Sequence, residues 1–163
     1  MTTPIAHGDG SGADGASAPL PPAFAQVVED FQALAGRDRL QLLLEFADGL
    51  PDLPERYADH PELLEPVPEC QTPIFLITEV DGEGEQAPMR LFFSAPPEAP
   101  TTRGFAGILA EGLEGLTVGE VLAVPADVTE TLGLAEVVSP LRLRGMGAML
   151  GRIKRQLGEK AGI

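Results

Sequence analysis

Five prolines, Pro51, Pro54, Pro61, Pro66 and Pro68, crowd one short stretch of this chain. Proline removes a backbone donor and clashes with the preceding helical turn, so no long helix can cross the stretch. It separates what lies before from what lies after, and leaves room only for short turns at Glu55 to Ala58 and at Glu62 to Leu64. It also runs straight into Cys70, the sole cysteine.

The flanks differ in period. Before the prolines, Phe24, Val27, Val28, Phe31 and Leu34 follow the spacing of a buried helical stripe. Gly36 interrupts, and Leu40, Leu43, Leu44, Ala47 and Leu50 mark a second helix, with Asp38 as its expected cap and Pro51 as its end. After them, Pro73 to Val80 is β-branched and aromatic, the mark of a strand. Asp81-Gly82 and the residues to Pro88 form a hairpin loop, and Met89 to Ser94 alternates as a second strand.

Helices return beyond Pro100. The first is expected to be capped by Thr101 or Thr102 and carries Phe105, Ile108, Leu109 and Leu113. Thr117 and Glu120 have the spacing of a capping box. Asp127 to Leu132 reads as a short turn. Ser139 precedes Pro140 as cap and first helical residue. The last helix carries Leu143, Met146, Met149, Leu150, Ile153 and Leu157. Its Gly145, Gly147 and Gly151 each cost about 1 kcal/mol relative to alanine, which points either to close packing against another backbone or to a ragged helix. Helices, then strands, then helices predict an α+β fold with a small antiparallel β-sheet covered by helices. Residues 1–22, rich in Gly, Ala, Ser and Pro, are expected to be a disordered tail.

Charge narrows the partners. A net charge of -14 argues against nucleic acid and anionic membrane surfaces. No apolar run is long enough to span a bilayer. Met1 to Gly15 has neither a basic start nor an apolar stretch, so a cytoplasmic protein is expected. Six of the 11 basic residues lie after Pro140: Arg142, Arg144, Arg152, Lys154, Arg155 and Lys160. That cluster is either a solvated helix face or a surface for a functional anion.

One cysteine excludes an internal disulfide and any paired-cysteine metal site. His7 and His60 lie far apart, so a histidine metal site is not expected. Cys70 sits between a proline-bearing loop and a strand, with Pro68 and Pro73 on either side. It is either an inert filler or a rigidly presented nucleophile. A persulfide carrier needs a thiolate, access to a second protein and shelter for the bound sulfur. Nearby cations would favour the thiolate, and Glu69 would oppose it.

Several segments together resemble the SufE family, CsdE relatives included, from about Phe24 to Leu157. Arg39-Leu40 with Leu50-Pro51-Asp52-Leu53-Pro54 looks like the family's helix and Leu-Pro-x-Leu-Pro turn. Val67-Pro68-Glu69-Cys70-Gln71-Thr72 resembles its Val-x-Gly-Cys-Gln-Ser motif, and Ile74-Phe75-Leu76 the strand that follows. Arg103-Gly104-Phe105-Ala106-Gly107-Ile108-Leu109 is similar to its Arg-Gly-x-x-Ala-x-Leu helix. Ser139-Pro140-Leu141-Arg142-Leu143-Arg144-Gly145-Met146 is similar to its Ser-x-x-Arg-x-x-Gly-Leu element.

The resemblance implies a SufE-like domain over residues 23–160 with the scaffold-like α+β fold. It implies that Cys70 accepts sulfane sulfur from a pyridoxal-phosphate cysteine desulfurase of the SufS or CsdA type and stimulates it. The sulfur then passes to an iron-sulfur scaffold. The pyridoxal phosphate belongs to that partner, so no cofactor is expected here. Arg142 corresponds to the family arginine near the cysteine loop, expected to dock or stabilise the anionic sulfur; Gln71 and Arg103 are further candidates. The thiol is expected to rest inward and to emerge on docking, in a monomer or homodimer. Three residues depart from the family pattern: Glu69 for Gly, Thr72 for Ser and Arg144 for Asn. Glu69 and Arg144 are expected to compensate each other if they meet. Two other readings remain open, a regulatory binding partner of a desulfurase that carries no sulfur, and a thiol redox sensor.

Overall fold

The computed structural model describes residues 20–163. Most of the tail expected over 1–22 lies outside the described residues; within it, Leu20 packs on the core and the first helix begins at Pro22. Helix α1 (Pro22–Gln32) buries Phe24, Val27, Val28 and Phe31, the stripe its spacing predicts. Helix α2 (Gly36–Asp48) follows at once. Asp38 does not cap it. The Gly36 N–H, in a left-handed turn at φ 52°, donates instead to Glu136 at 2.8 Å, a carboxylate brought from the far end of the chain.

The proline stretch holds only α3 (Glu55–Ala58) and a 3₁₀ turn at Pro61–Leu63. It then delivers a two-residue strand, β1 (Glu65–Pro66), to the edge of the sheet. Strands β2 (Phe75–Val80) and β3 (Met89–Ser94) complete it in the order β1-β2-β3, antiparallel throughout. The register pairs Leu76 with Phe93 and Thr78 with Leu91 towards the core, and Ile77 with Phe92 on the other face. Tyr57 and Arg56 cover Phe92 there.

Helix α4 (Pro100–Leu113) lies deep in the molecule. Neither Thr101 nor Thr102 caps it; its first turn opens on Pro100, and Thr102 is buried on other duty. Helix α5 (Val118–Leu122) carries the full capping box of Thr117 and Glu120. Two 3₁₀ turns, Val128–Leu132 and Leu134–Glu136, lead to α6 (Pro140–Ala161), capped by Ser139. Met146, Met149, Leu150, Ile153 and Leu157 of α6 close the core against the sheet and α4.

Close backbone approach, one of the two readings of the glycine pattern of α6, falls mainly on another helix. Gly147 and Gly151 face open space, and only Gly145 is tight. Helix α4 makes the intimate contacts: a methyl group on Gly107 would lie 2.2 Å from the Phe46 carbonyl, and one on Gly104 2.6 Å from that of Leu43. Glycine therefore lets α2 and α4 touch backbone to backbone.

Candidate functional site

Strands β1 and β2 are joined by a hairpin whose tip carries Cys70. Pro68 opens a 3₁₀ turn over Pro68–Cys70, and the Gln71 N–H returns to the Pro68 carbonyl at 3.0 Å. The chain reverses at Gln71, whose φ of 58° is the left-handed value that a non-glycine residue rarely adopts. The Val67 N–H bonds the Ile74 carbonyl at 3.0 Å and closes the neck of the loop. Glu69 fits its place without a left-handed backbone, so this loop has no need of glycine there.

The thiol points inward. Cys70 is only 7% exposed and belongs to the hydrophobic core cluster. Its seat is Gly145 on α6: a methyl group there would lie 2.8 Å from Sγ and 3.1 Å from the Cys70 Cα. Thr72, two residues on, donates to the Thr102 hydroxyl at 3.2 Å and ties the loop to the start of α4. Burial pushes the Cys70 thiol up to about 11, with the Glu69 charge adding to it and Arg152 opposing.

An ion-pair network holds the loop from outside. Arg152 of α6 donates to Glu65 of β1 at 2.8 Å and to both oxygens of Glu69 at 2.6 and 2.9 Å. Arg155 and Gln156 also donate to Glu65. Gln156 is itself buried, and its carbonyl accepts from the Thr78 N–H and hydroxyl, each at 2.9 Å. Burial alone would raise Glu65. The bonds from Arg155, Arg152 and Gln156 outweigh it and hold the carboxyl at about 2. Glu69 is lowered by its own backbone N–H and by Arg152.

The predicted residues are partly brought together. Glu69, Cys70 and Gln71 share the tip. Arg103 is anchored to the Ala95 carbonyl at 2.7 Å. Arg142 and Arg144 are exposed on the first turns of α6. Glu69 pairs with Arg152 and not with Arg144, because Arg144 points to solvent one position before Gly145. Sequence reasoning passed over Gly145 as the seat and Arg152 as the clamp. A signal was present: the two are seven residues apart, two helical turns, and so share one face of α6.

Among the described residues no group of His, Cys, Asp and Glu side chains has the arrangement of a metal site. No described helix is long and apolar enough to cross a membrane. A groove of about 830 Å³ between α2, β3 and α4 has Phe46, Leu91 and Gly107 in its walls and takes no residue from the cysteine loop.

Such a molecule is a small α+β domain that shelters a single thiol under a hairpin tip. Residues 25–157 match the family model described as SufE: Fe-S metabolism associated domain. An uncharacterized SufE-like protein of Mycobacterium tuberculosis is 55% identical over 144 residues, 88% of this chain and 97% of the relative. Another from Rhizobium meliloti is 29% identical over 80% of this chain and 91% of its own. The solution structure of a hypothetical protein from Thermus thermophilus superposes with a TM-score of 0.73 at 41% identity, covering 89% of this chain and 100% of that one. This chain belongs to the SufE family, and with it to the proteins associated with Fe-S metabolism.

Proposed function

We propose that this protein is a sulfur acceptor: Cys70 takes sulfane sulfur from a cysteine desulfurase and hands it to an iron-sulfur assembly scaffold, and docking stimulates the desulfurase. The observation that carries the reading is the thiol's setting, a lone cysteine buried on the glycine seat of α6 yet mounted on a hairpin tip. A carrier must hide its persulfide between partners and expose it to each of them. A tip closed by one neck bond, one hydroxyl pair and one ion pair can do both.

The step conserves electrons. The Cys70 thiolate attacks the terminal sulfur of the donor persulfide. A new S–S bond forms on Sγ, the donor S–S bond breaks, and the donor cysteine leaves as thiolate. The proton on Cys70 must depart first, and at rest burial keeps it bound. Emergence from the seat therefore activates the thiol at the moment a partner is present.

Arg142 and Arg144 fit a docking role. Arg142 lies three residues before Gly145, near the thiol's seat on α6. The first turn of α6 holds no acidic residue, although the helix dipole favours anions there. A cation at Arg142, in that first turn, costs the helix a few tenths of a kcal/mol, so the helix gains nothing from it. Leu141 beside Arg142 is 46% exposed and adds an apolar contact. A redox sensor fits less well, because sensing thiols are exposed and acidic, and Cys70 is neither.

The test is mass spectrometry after incubation with a cysteine desulfurase and cysteine. Wild type should gain the mass of one sulfur atom at Cys70, and Cys70→Ser should gain none. An unmodified wild type that still speeds the desulfurase would replace this reading with the purely regulatory one.

A further inference from the structure

Arg152 is placed to do more than stabilise the fold. One of its nitrogens is fixed on Glu65 of β1 and another grips Glu69 of the cysteine tip, so the guanidinium bridges sheet and loop. Its remaining Nε–H is buried and meets no acceptor among the described residues, so the guanidinium's hold on the loop runs through the Glu69 carboxylate alone. Glu65 is in turn held by Arg155 and Gln156, which makes it the fixed end. Glu69 is the free end. It is 45% exposed while Arg152 is 25% exposed, so an incoming protein reaches the carboxylate before the guanidinium.

We propose that Arg152 is a positioning residue which latches the cysteine tip shut through Glu69, and that a basic docking surface opens the tip by taking Glu69 from it. This rests on the sulfur-acceptor reading and deepens it by naming the chemistry of the docking contact. The acidic surface of the chain, with its net charge of -14, favours such a partner at long range.

Charge effects on Cys70 itself must be separated from opening. The charged groups facing the thiol are Glu69 on its own loop and Arg152 on α6, with Glu65 of β1 behind Arg152. Removing Arg152 takes a cation from the thiol, and by charge alone this would slow its reaction with a neutral alkylating agent. If Arg152 is the latch, the same change speeds it. The signs are opposite.

The experiment measures iodoacetamide labelling of Cys70 in the full chain at several pH values, with no partner present. Arg152→Gln should label roughly 5-fold faster than wild type, as expected for loss of one partly exposed ion pair that closes a local opening. Amide exchange at Cys70 and Gln71 should rise with it, while β2 amides stay protected. In the double variant Glu69→Gln/Arg152→Gln, amide exchange at Cys70 and Gln71 should rise no further than in Arg152→Gln; labelling is not compared there, because losing the Glu69 charge itself favours the thiolate. Short polylysine at low salt should speed labelling of wild type but not of Glu69→Gln. Slower or unchanged labelling of Arg152→Gln with native thermal stability would overturn the latch. No response of wild type to polylysine would overturn the basic trigger. These readouts use no desulfurase, so a missing sulfur adduct beside a fast-labelling Arg152→Gln would sink the acceptor reading and leave the latch standing.

Discussion

Burial holds the proton on Cys70, and the consequence is measurable. Its folded value of about 11 lies above the ordinary 9.0. A raised value means that the folded state binds the proton more tightly, so this contribution to stability is full below about pH 9 and fades as pH rises towards 11. Thiolate absorbance in the native protein should therefore appear well above pH 9, and in urea near the ordinary value; a native midpoint at or below 9 would contradict the buried seat. Gly145 is the other decisive residue. Gly145→Ala puts a methyl group 2.8 Å from Sγ and 3.1 Å from a backbone atom of the loop. Overpacking of this kind costs about 1–3 kcal/mol, and the cheapest relief is to lift the tip. The variant should lose several degrees in Tm and label faster with iodoacetamide. Slow labelling at unchanged Tm would show that the seat has slack.

Glycine sets the contact between helices α2 and α4, whereas on α6 only Gly145 is held to glycine by a close neighbour. Gly107→Ala drives a methyl group into the Phe46 carbonyl, and backbone cannot move aside as a flexible side chain can. The expected loss is about 2–4 kcal/mol, read from urea denaturation. Gly151→Ala is the contrasting case. It meets open space inside a long helix and should stabilise by about 1 kcal/mol. Equal effects of the two would mean that helix propensity, not close approach, governs both. Arg39 knits elements in a different way. It donates to the Phe31, Leu34 and Gly133 carbonyls and to Glu136, which binds the end of α1 to the turn before α6.

Acid should act on the whole molecule through Glu65. Its folded value of about 2 lies below the ordinary 4.5. A lowered carboxylate contributes stability above about pH 4.5 and loses it as pH falls towards 2. Glu65 is 21% exposed, so the contribution is about 2–3 kcal/mol. Glu65→Gln should lower stability at pH 7 and flatten its decline between about pH 4.5 and 2. A variant with the wild-type slope would show that other carboxylates govern acid unfolding. The same change unseats the fixed end of the Arg152 bridge, so the stability of the sheet edge and the closure of the cysteine tip are linked.

Periodicity, proline spacing and the capping pairs at Thr117 and Ser139 sufficed for the main helices, the hairpin of β2 and β3, the fold class and the prominence of Cys70, because these signals are local and written in consecutive residues; the two-residue edge strand β1 and the turn Leu134–Glu136 carry too few residues to show a period. The cysteine motif and its flanking segments carried the family in the same way. The cap of α2 was not legible, since Glu136 arrives from a hundred residues away. Nor was the choice of Arg152 over Arg144 as the partner of Glu69, or of α4 over α6 as the principal glycine-mediated contact. Those depend on which helix faces meet once the chain has packed, and a single sequence does not specify distances between segments that only tertiary structure brings together.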